Sequence, residues 1–379
     1  MEEKLKLLMD GNTEKNRTII AREWKQQGKK VMGLLTHHYI PEEILHALDI
    51  LPWRVTGSWR EEAPLAEAHR TKISCKYCTH VLESFLSNNM DFLDGIIVVD
   101  LDDDVRTMWD VLDFYHMAPF IRIMHLPHKT SESAARFWLR EIEELKKELE
   151  NITREKVTDE KLRNSIRVYN KTRRLVGALY ELRKRPNPPL TGAELLALTC
   201  TAAVMPKEEY NNRLEELLPY LENRQPRHKQ VKPRILVSGD FLDDVRYLKL
   251  IEEAGCMVVM DDLDTGSRYL WGTVDESLYN PEYAVAKYYL NRPGTNPHMF
   301  EWDKQAKEFM EWVAEYQIDG VVELPVMYSF PREFMSPYLG MKMEEGRIPF
   351  ISLKHEYGLS NTGQFSTRIG AFLEMIKEK

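Results

Sequence analysis

Cys75 and Cys78 stand three residues apart in ISCKYCTHVLES (73–84), with His80 and Glu83 following, and they are half of the four cysteines in the chain. Two thiols at that spacing share one helical turn. They can form a redox pair, offer two ligands to one metal ion, or be small buried residues. A loop-to-helix junction at this point lowers a thiol pKa and favours thiolate, the form that binds metal. Cys256, inside CMVVM, and Cys200, inside ALTCTAAVM, read as small buried hydrophobes.

The other chemistry-bearing residues gather where apolar runs end. The run 29–37 leads into His37, His38 and Tyr39; the run 94–100 leads into Asp100, Asp102, Asp103 and Asp104. The run 256–262 leads into Asp261, Asp262, Asp264 and Arg268, and 234–240 into Asp243 and Asp244. Open α/β sheets bind ligands at the carboxyl ends of their strands, so these positions are where a site belongs. Aspartate also caps helices and complements their dipoles, which accounts for Asp103 and Asp104 ahead of a helix over 104–115. Four acidic or histidine-bearing strand ends plus a CxxC offer more ligand atoms than capping requires. Neither G-x-x-x-x-G-K-[ST] nor G-x-G-x-x-G occurs, so no nucleotide site is expected on this chain. His355-Glu356 lacks the second histidine of H-E-x-x-H, and His69, His80, His125 and His128 are scattered.

The elements that must hold these residues follow from hydrophobic pattern. In the first third, strands over 29–37, 51–57, 94–100 and 120–127 alternate with helices over 41–50, from Cys78 onward, and over 104–115. That alternation predicts a parallel sheet with helices on its faces. Residues 129–228 are predicted all-helical: Trp138, Ile142, Leu145 and Leu149 recur at helical spacing, as do Leu162, Ile166, Tyr169, Leu175, Leu179 and Leu182. PNPPL (186–190) interrupts the pattern, and Thr191 with Glu194 spells a capping box for the next helix. The polar, proline-punctuated 222–234 reads as a linker. Strands over 234–240, 256–262, 319–327 and 348–357 then return the pattern to α/β, and a final helix carries Phe365, Ile369, Phe372, Leu373 and Ile376 on one face. The fold class expected is α/β, two doubly wound parallel-sheet units with a helical segment between them: 1–128, 129–228 and 229–379.

Composition agrees with a globular protein: 43% hydrophobic and 30% charged residues, with a net charge of −8. No basic excess exists to neutralise a polyanion, so no nucleic-acid partner is expected. The apolar runs fall far short of the roughly 20 residues that a bilayer requires, and the charged N-terminus has no signal-like apolar stretch. A cytoplasmic location is expected, and four cysteines there do not point to disulfides.

Several long phrases together resemble the 2-hydroxyacyl-CoA dehydratase and benzoyl-CoA reductase family, small-subunit type. They are YIPEEILHALDILPWRVTG (39–57), CKYCTHVLESFLSNNMDFLDGIIV (75–98), DLDDDVRTMWD (100–110), DDLDTGSRYLW (261–271) and GQFSTRIGAFLEM (363–375). The resemblance implies one subunit of an oxygen-sensitive complex with a second homologous subunit, in which a [4Fe–4S] cluster sits between α/β domains. It also implies a separate ATP-hydrolysing iron–sulfur activator, and an acyl-CoA substrate processed through a ketyl-type radical. The family's cluster is usually held by three cysteines. By resemblance the first falls on Cys75, the second on Asp102 and the third on Asp264, while Cys78 is an addition.

Two consequences stay open at the level of sequence. Cys75, Cys78, Asp102 and Asp264 can form a mixed thiolate–carboxylate cluster site, with altered potential because ligand charge tunes it. Alternatively the cluster is absent, and the chain is an assembly or docking subunit. A thiol–disulfide oxidoreductase using the cysteine pair is a third possibility. His37, His38 and Arg268 are the candidates for substrate contact or proton transfer.

Overall fold

The computed structural model describes residues 1–35, 39–226, 232–359 and 362–377. Its first sheet holds β1 (Lys30–Leu35), β2 (Ile50–Arg54), β3 (Gly95–Asp100) and β4 (Ile121–His125), all parallel, in the order β2-β1-β3-β4. The second holds β5 (Arg234–Gly239), β6 (Met257–Asp262), β7 (Gly320–Leu324) and β8 (Phe350–Ser352), also parallel, in the order β6-β5-β7-β8. The two orders are one winding used twice, although no sequence repeat announces it. In each sheet the chain reverses direction of travel beside its first strand, the point where such folds open a ligand crevice. The fold class expected from the sequence is the one observed.

Helices precede, connect and cover the strands. They are α1 (Glu2–Met9), α2 (Glu14–Gln26), α3 (Glu42–His46), α4 (Pro64–Glu67), α5 (Lys76–Leu86) and α6 (Asp103–Phe114). The intervening segment supplies α7 (Glu132–Thr153), α8 (Asp159–Arg183), α9 (Gly192–Ala202) and α10 (Lys207–Asn223). The second half adds α11 (Arg246–Glu253), α12 (Ser267–Leu270), α13 (Pro281–Leu290), α14 (Trp302–Glu315), α15 (Phe330–Glu345) and α16 (Thr362–Lys377). The capping box at Thr191 and Glu194 is formed, each side chain accepting the other residue's backbone N–H. The helix expected over 41–50 stops at His46, because Asp49 takes a left-handed conformation (φ 58°) and Ile50 opens β2.

The helices between the sheets divide between two cores. Trp138, Ile142, Leu145 and Leu149 of α7 pack with the first sheet, whereas Leu179 and Leu182 of α8 join the core of the second. Leu5 and Leu8 of α1 belong to that second core as well, far from the strands that follow them in sequence. The halves are also stitched directly. The Lys76 backbone N–H donates to the Met327 carbonyl (3.1 Å), and the Gly57 N–H donates to the Tyr357 hydroxyl (3.0 Å).

Candidate functional site

Cys75 is the N-cap of α5, and Cys78 lies one turn along it. Asp104 fixes the start of this helix: its Oδ1 accepts the Cys75 backbone N–H (3.1 Å) and it pairs with the Arg70 guanidinium. Both thiols are buried. Contrary to the lowering expected at a helix start, a hydrogen bond with the Cys75 thiol, together with burial, pushes the Cys78 thiol well above its ordinary value, and the Asp102 carboxylate acts in the same direction. The two residues after the pair have local duties. His80 Nδ1 meets Ser58 Oγ at 3.1 Å, and Glu83 Oε2 accepts the Ala66 N–H (2.8 Å) near the start of α4.

Asp102 caps α6, accepting the Val105 N–H at 2.9 Å, and its other oxygen lies 4.0 Å from Nε2 of His298, a residue of the second half. Asp102→Ala is expected to cost about 1 kcal/mol of stability through loss of the cap, with Asp102→Asn close to native. Chemical denaturation of the two variants checks this. An equal loss in both would put the role in the charge instead.

Asp264 stands with other partners. Its Oδ1 pairs with Nε of Arg268 at 3.1 Å, and Arg268 Nη1 pairs with Asp262 Oδ1, also at 3.1 Å. The same guanidinium donates to the carbonyls of Thr295 (2.8 Å) and Gly239. Burial alone would lower its pKa, but the charges of Asp262 and Asp264 hold it above the ordinary value. Arg332 lies beside it, donating to the Thr295 carbonyl (2.8 Å) and to Ser238 Oγ, with Glu323 2.9 Å from its Nε. Two guanidinium groups therefore fill the carboxyl ends of β5 and β6. Tyr39, whose hydroxyl accepts from Asn296 Nδ2, is pushed up by burial and by the charge of Asp264.

The structure thus brings Cys75, Cys78 and Asp102 to one neighbourhood, and holds Asp264 and Arg268 to each other. His37 and His38 lie outside the described residues. A four-iron cubane requires donors reaching several of its corners. Here two thiols share one turn, Asp102 serves a helix backbone and Asp264 serves an arginine. Among the described residues, no group of three or more His, Cys, Asp or Glu is placed to hold a metal ion. The four residues do not fit a cubane as a set.

Beside Asp102 opens a cavity of about 660 Å³, between the residues that follow β3 and β4 and segments of the second half. Asp102, Asp104 and His128 line one side; His298, Phe300 and Phe334 are among those lining the other. His128 Nδ1 meets the His298 carbonyl at 2.7 Å, and the Phe300 N–H donates to the His128 carbonyl (3.1 Å), closing the floor. The size is ordinary for a small-molecule site. Sequence reasoning passed over 292–302, RPGTNPHMFEW. Its proline and glycine content with Phe300 and Trp302 was the available signal.

The family described as 2-hydroxyglutaryl-CoA dehydratase, D-component, matches residues 37–376. Relatives at low identity match almost end to end. One of the subunits of benzoyl-CoA reductase from Thauera aromatica is 26% identical over 94% of each chain. The beta subunit of (R)-phenyllactyl-CoA dehydratase from Clostridium sporogenes is 24% identical, again over 94% of each. The beta subunit of (R)-2-hydroxyglutaryl-CoA dehydratase from Acidaminococcus fermentans is 27% identical over 95% of this chain and 96% of its own. No described helix is long and apolar enough to cross a membrane.

Proposed function

As this chain belongs to the 2-hydroxyglutaryl-CoA dehydratase D-component family, we propose that it is one subunit of a cytoplasmic, iron–sulfur-dependent complex that dehydrates a 2-hydroxyacyl-CoA or reduces an aromatic acyl-CoA. The complex uses one-electron, ketyl-radical chemistry, with a separate ATP-hydrolysing activator supplying the electron. This chain contributes the cavity beside Asp102, which receives the acyl group. The electron-delivering cluster belongs to the homologous partner subunit. The observation that carries the assignment to this subunit's role is the pairing of that cavity with an incomplete ligand set: two thiols at the head of α5, and an arginine holding Asp264.

The expected result of anaerobic purification is iron and acid-labile sulfide in the complex, about four of each per cluster, and less than one iron in this chain isolated alone. About four irons and four sulfides retained by the isolated chain, and lost in Cys75→Ser, would instead assign it a cluster of its own. No acyl-CoA turnover by the complex with its activator would remove the enzyme assignment.

A further inference from the structure

Resting on the subunit assignment above, we infer that the cavity selects an acyl group with a flat, uncharged end and rejects one that carries a second carboxylate. Its wall in the second half is aromatic. Phe300, Phe330 and Phe334 border it and are 66%, 41% and 71% exposed, so their ring faces are not used up by the core. Trp302 extends the same wall, its ring centroid 5.7 Å from that of Tyr338. A flat ring entering there gains offset or edge-to-face contacts on top of area burial.

The opposite wall is acidic. Asp102, Asp103 and Asp104 border the cavity, and no lysine or arginine is among its described lining residues. Of its two histidines, His128 donates from Nδ1 to the His298 carbonyl, and Nε2 of His298 lies 4.0 Å from Asp102. Arg70 is already paired with Asp104, and Arg106 lies 3.8 Å from Asp103, so a carboxylate on the acyl chain would leave water for a wall lined by carboxylates whose neighbouring guanidinium groups are engaged. The discrimination therefore has an attractive part and a repulsive part, the combination that produces selectivity instead of plain affinity.

Calorimetric titration of the chain with its companion subunit, using phenylacetyl-CoA, glutaryl-CoA and free CoA, tests this. Phenylacetyl-CoA is expected to bind at least about tenfold more tightly than glutaryl-CoA, the size of one or two aromatic contacts. Phe334→Ala is expected to narrow that ratio, and Phe334→Lys to improve glutaryl-CoA specifically. Phe334 is largely exposed, so neither change threatens folding. Glutaryl-CoA binding as tightly as phenylacetyl-CoA, or a ratio that neither variant moves, overturns the selectivity and leaves the subunit assignment standing. Thioesters that bind no better than free CoA overturn the placement of the acyl group in this cavity.

Discussion

Arg268→Met is expected to lose about 3–5 kcal/mol of folding stability, the cost of leaving a buried ion pair with one partner missing. The guanidinium is fully buried, and its contacts are Asp262, Asp264 and the carbonyls of Thr295 and Gly239. Methionine fills similar volume but neutralises neither carboxylate. Asp262 retains hydrogen bonds from Ser238 Oγ (2.8 Å) and the Thr295 N–H (3.1 Å), whereas Asp264 loses its paired cation. Arg268→Lys is expected to recover only part of the loss, because an ammonium cannot span both carboxylates and two carbonyls with a planar fork. Adding Asp264→Asn to Arg268→Met should restore stability relative to Arg268→Met alone, since the two residues share one interaction. Denaturant midpoints of the three variants decide it; a loss below about 1 kcal/mol in Arg268→Met would place the charge in solvent.

The second large effect is in pH. Asp243 sits at the joint between the halves, where its Oδ2 accepts from the Tyr357 hydroxyl (2.6 Å) and the Trp59 indole (3.1 Å), while Asn12 binds its carbonyl (2.9 Å). Burial pushes its carboxyl up to about 6; Arg17 and the two donors only partly offset this, and Asp244 adds to it. A carboxyl raised on folding contributes stability that is full below its unfolded value, near 3.9, and is lost as pH rises through about 6. In Asp243→Asn the amide that replaces the carboxyl cannot ionise, and its oxygen can accept both donors.

The gap between variant and native protein should therefore open in the variant's favour by about 2 kcal/mol between pH 4.5 and 7, then stay flat. Asp261, raised to about 6 mainly by burial, follows the same sign. His355, lowered to about 4 by burial, has the opposite sign: its contribution is present above its unfolded value, near 6.5, and is lost as pH falls toward 4. Both are common to the two proteins and cancel in the difference. Urea melts across that range measure the gap, and a constant gap would show Asp243 titrating normally.

What the sequence made legible follows from period and punctuation. GIIVVD and RILVSG are strands because short apolar runs bounded by polar turns bury on both faces, and α7 is a helix because Trp138 to Leu149 keep a single stripe. The thiol pair was legible as a helix start, and Cys75 is an N-cap. Resemblance placed Asp102 and Asp264 in one ligand set, but only coordinates show which partner each carboxylate takes. Arg268 reaches back to Asp264 across the turn that precedes α12, so no helical period announces that pairing. The cavity was not, because its walls come from residues near 102, 128, 300 and 334, and no local pattern links segments so far apart.

A winding used twice provides two places where a ligand could settle. In this molecule the later one is stoppered by Arg268 and Arg332, whose ends reach the loops that would otherwise part. The cavity beside Asp102 draws its walls from both halves, the acidic one from the earlier and the aromatic one from the later. An exposed lining residue such as Phe334 can therefore change without touching either guanidinium, whereas a change at Arg268 or Arg332 strips a partner from buried carboxylates.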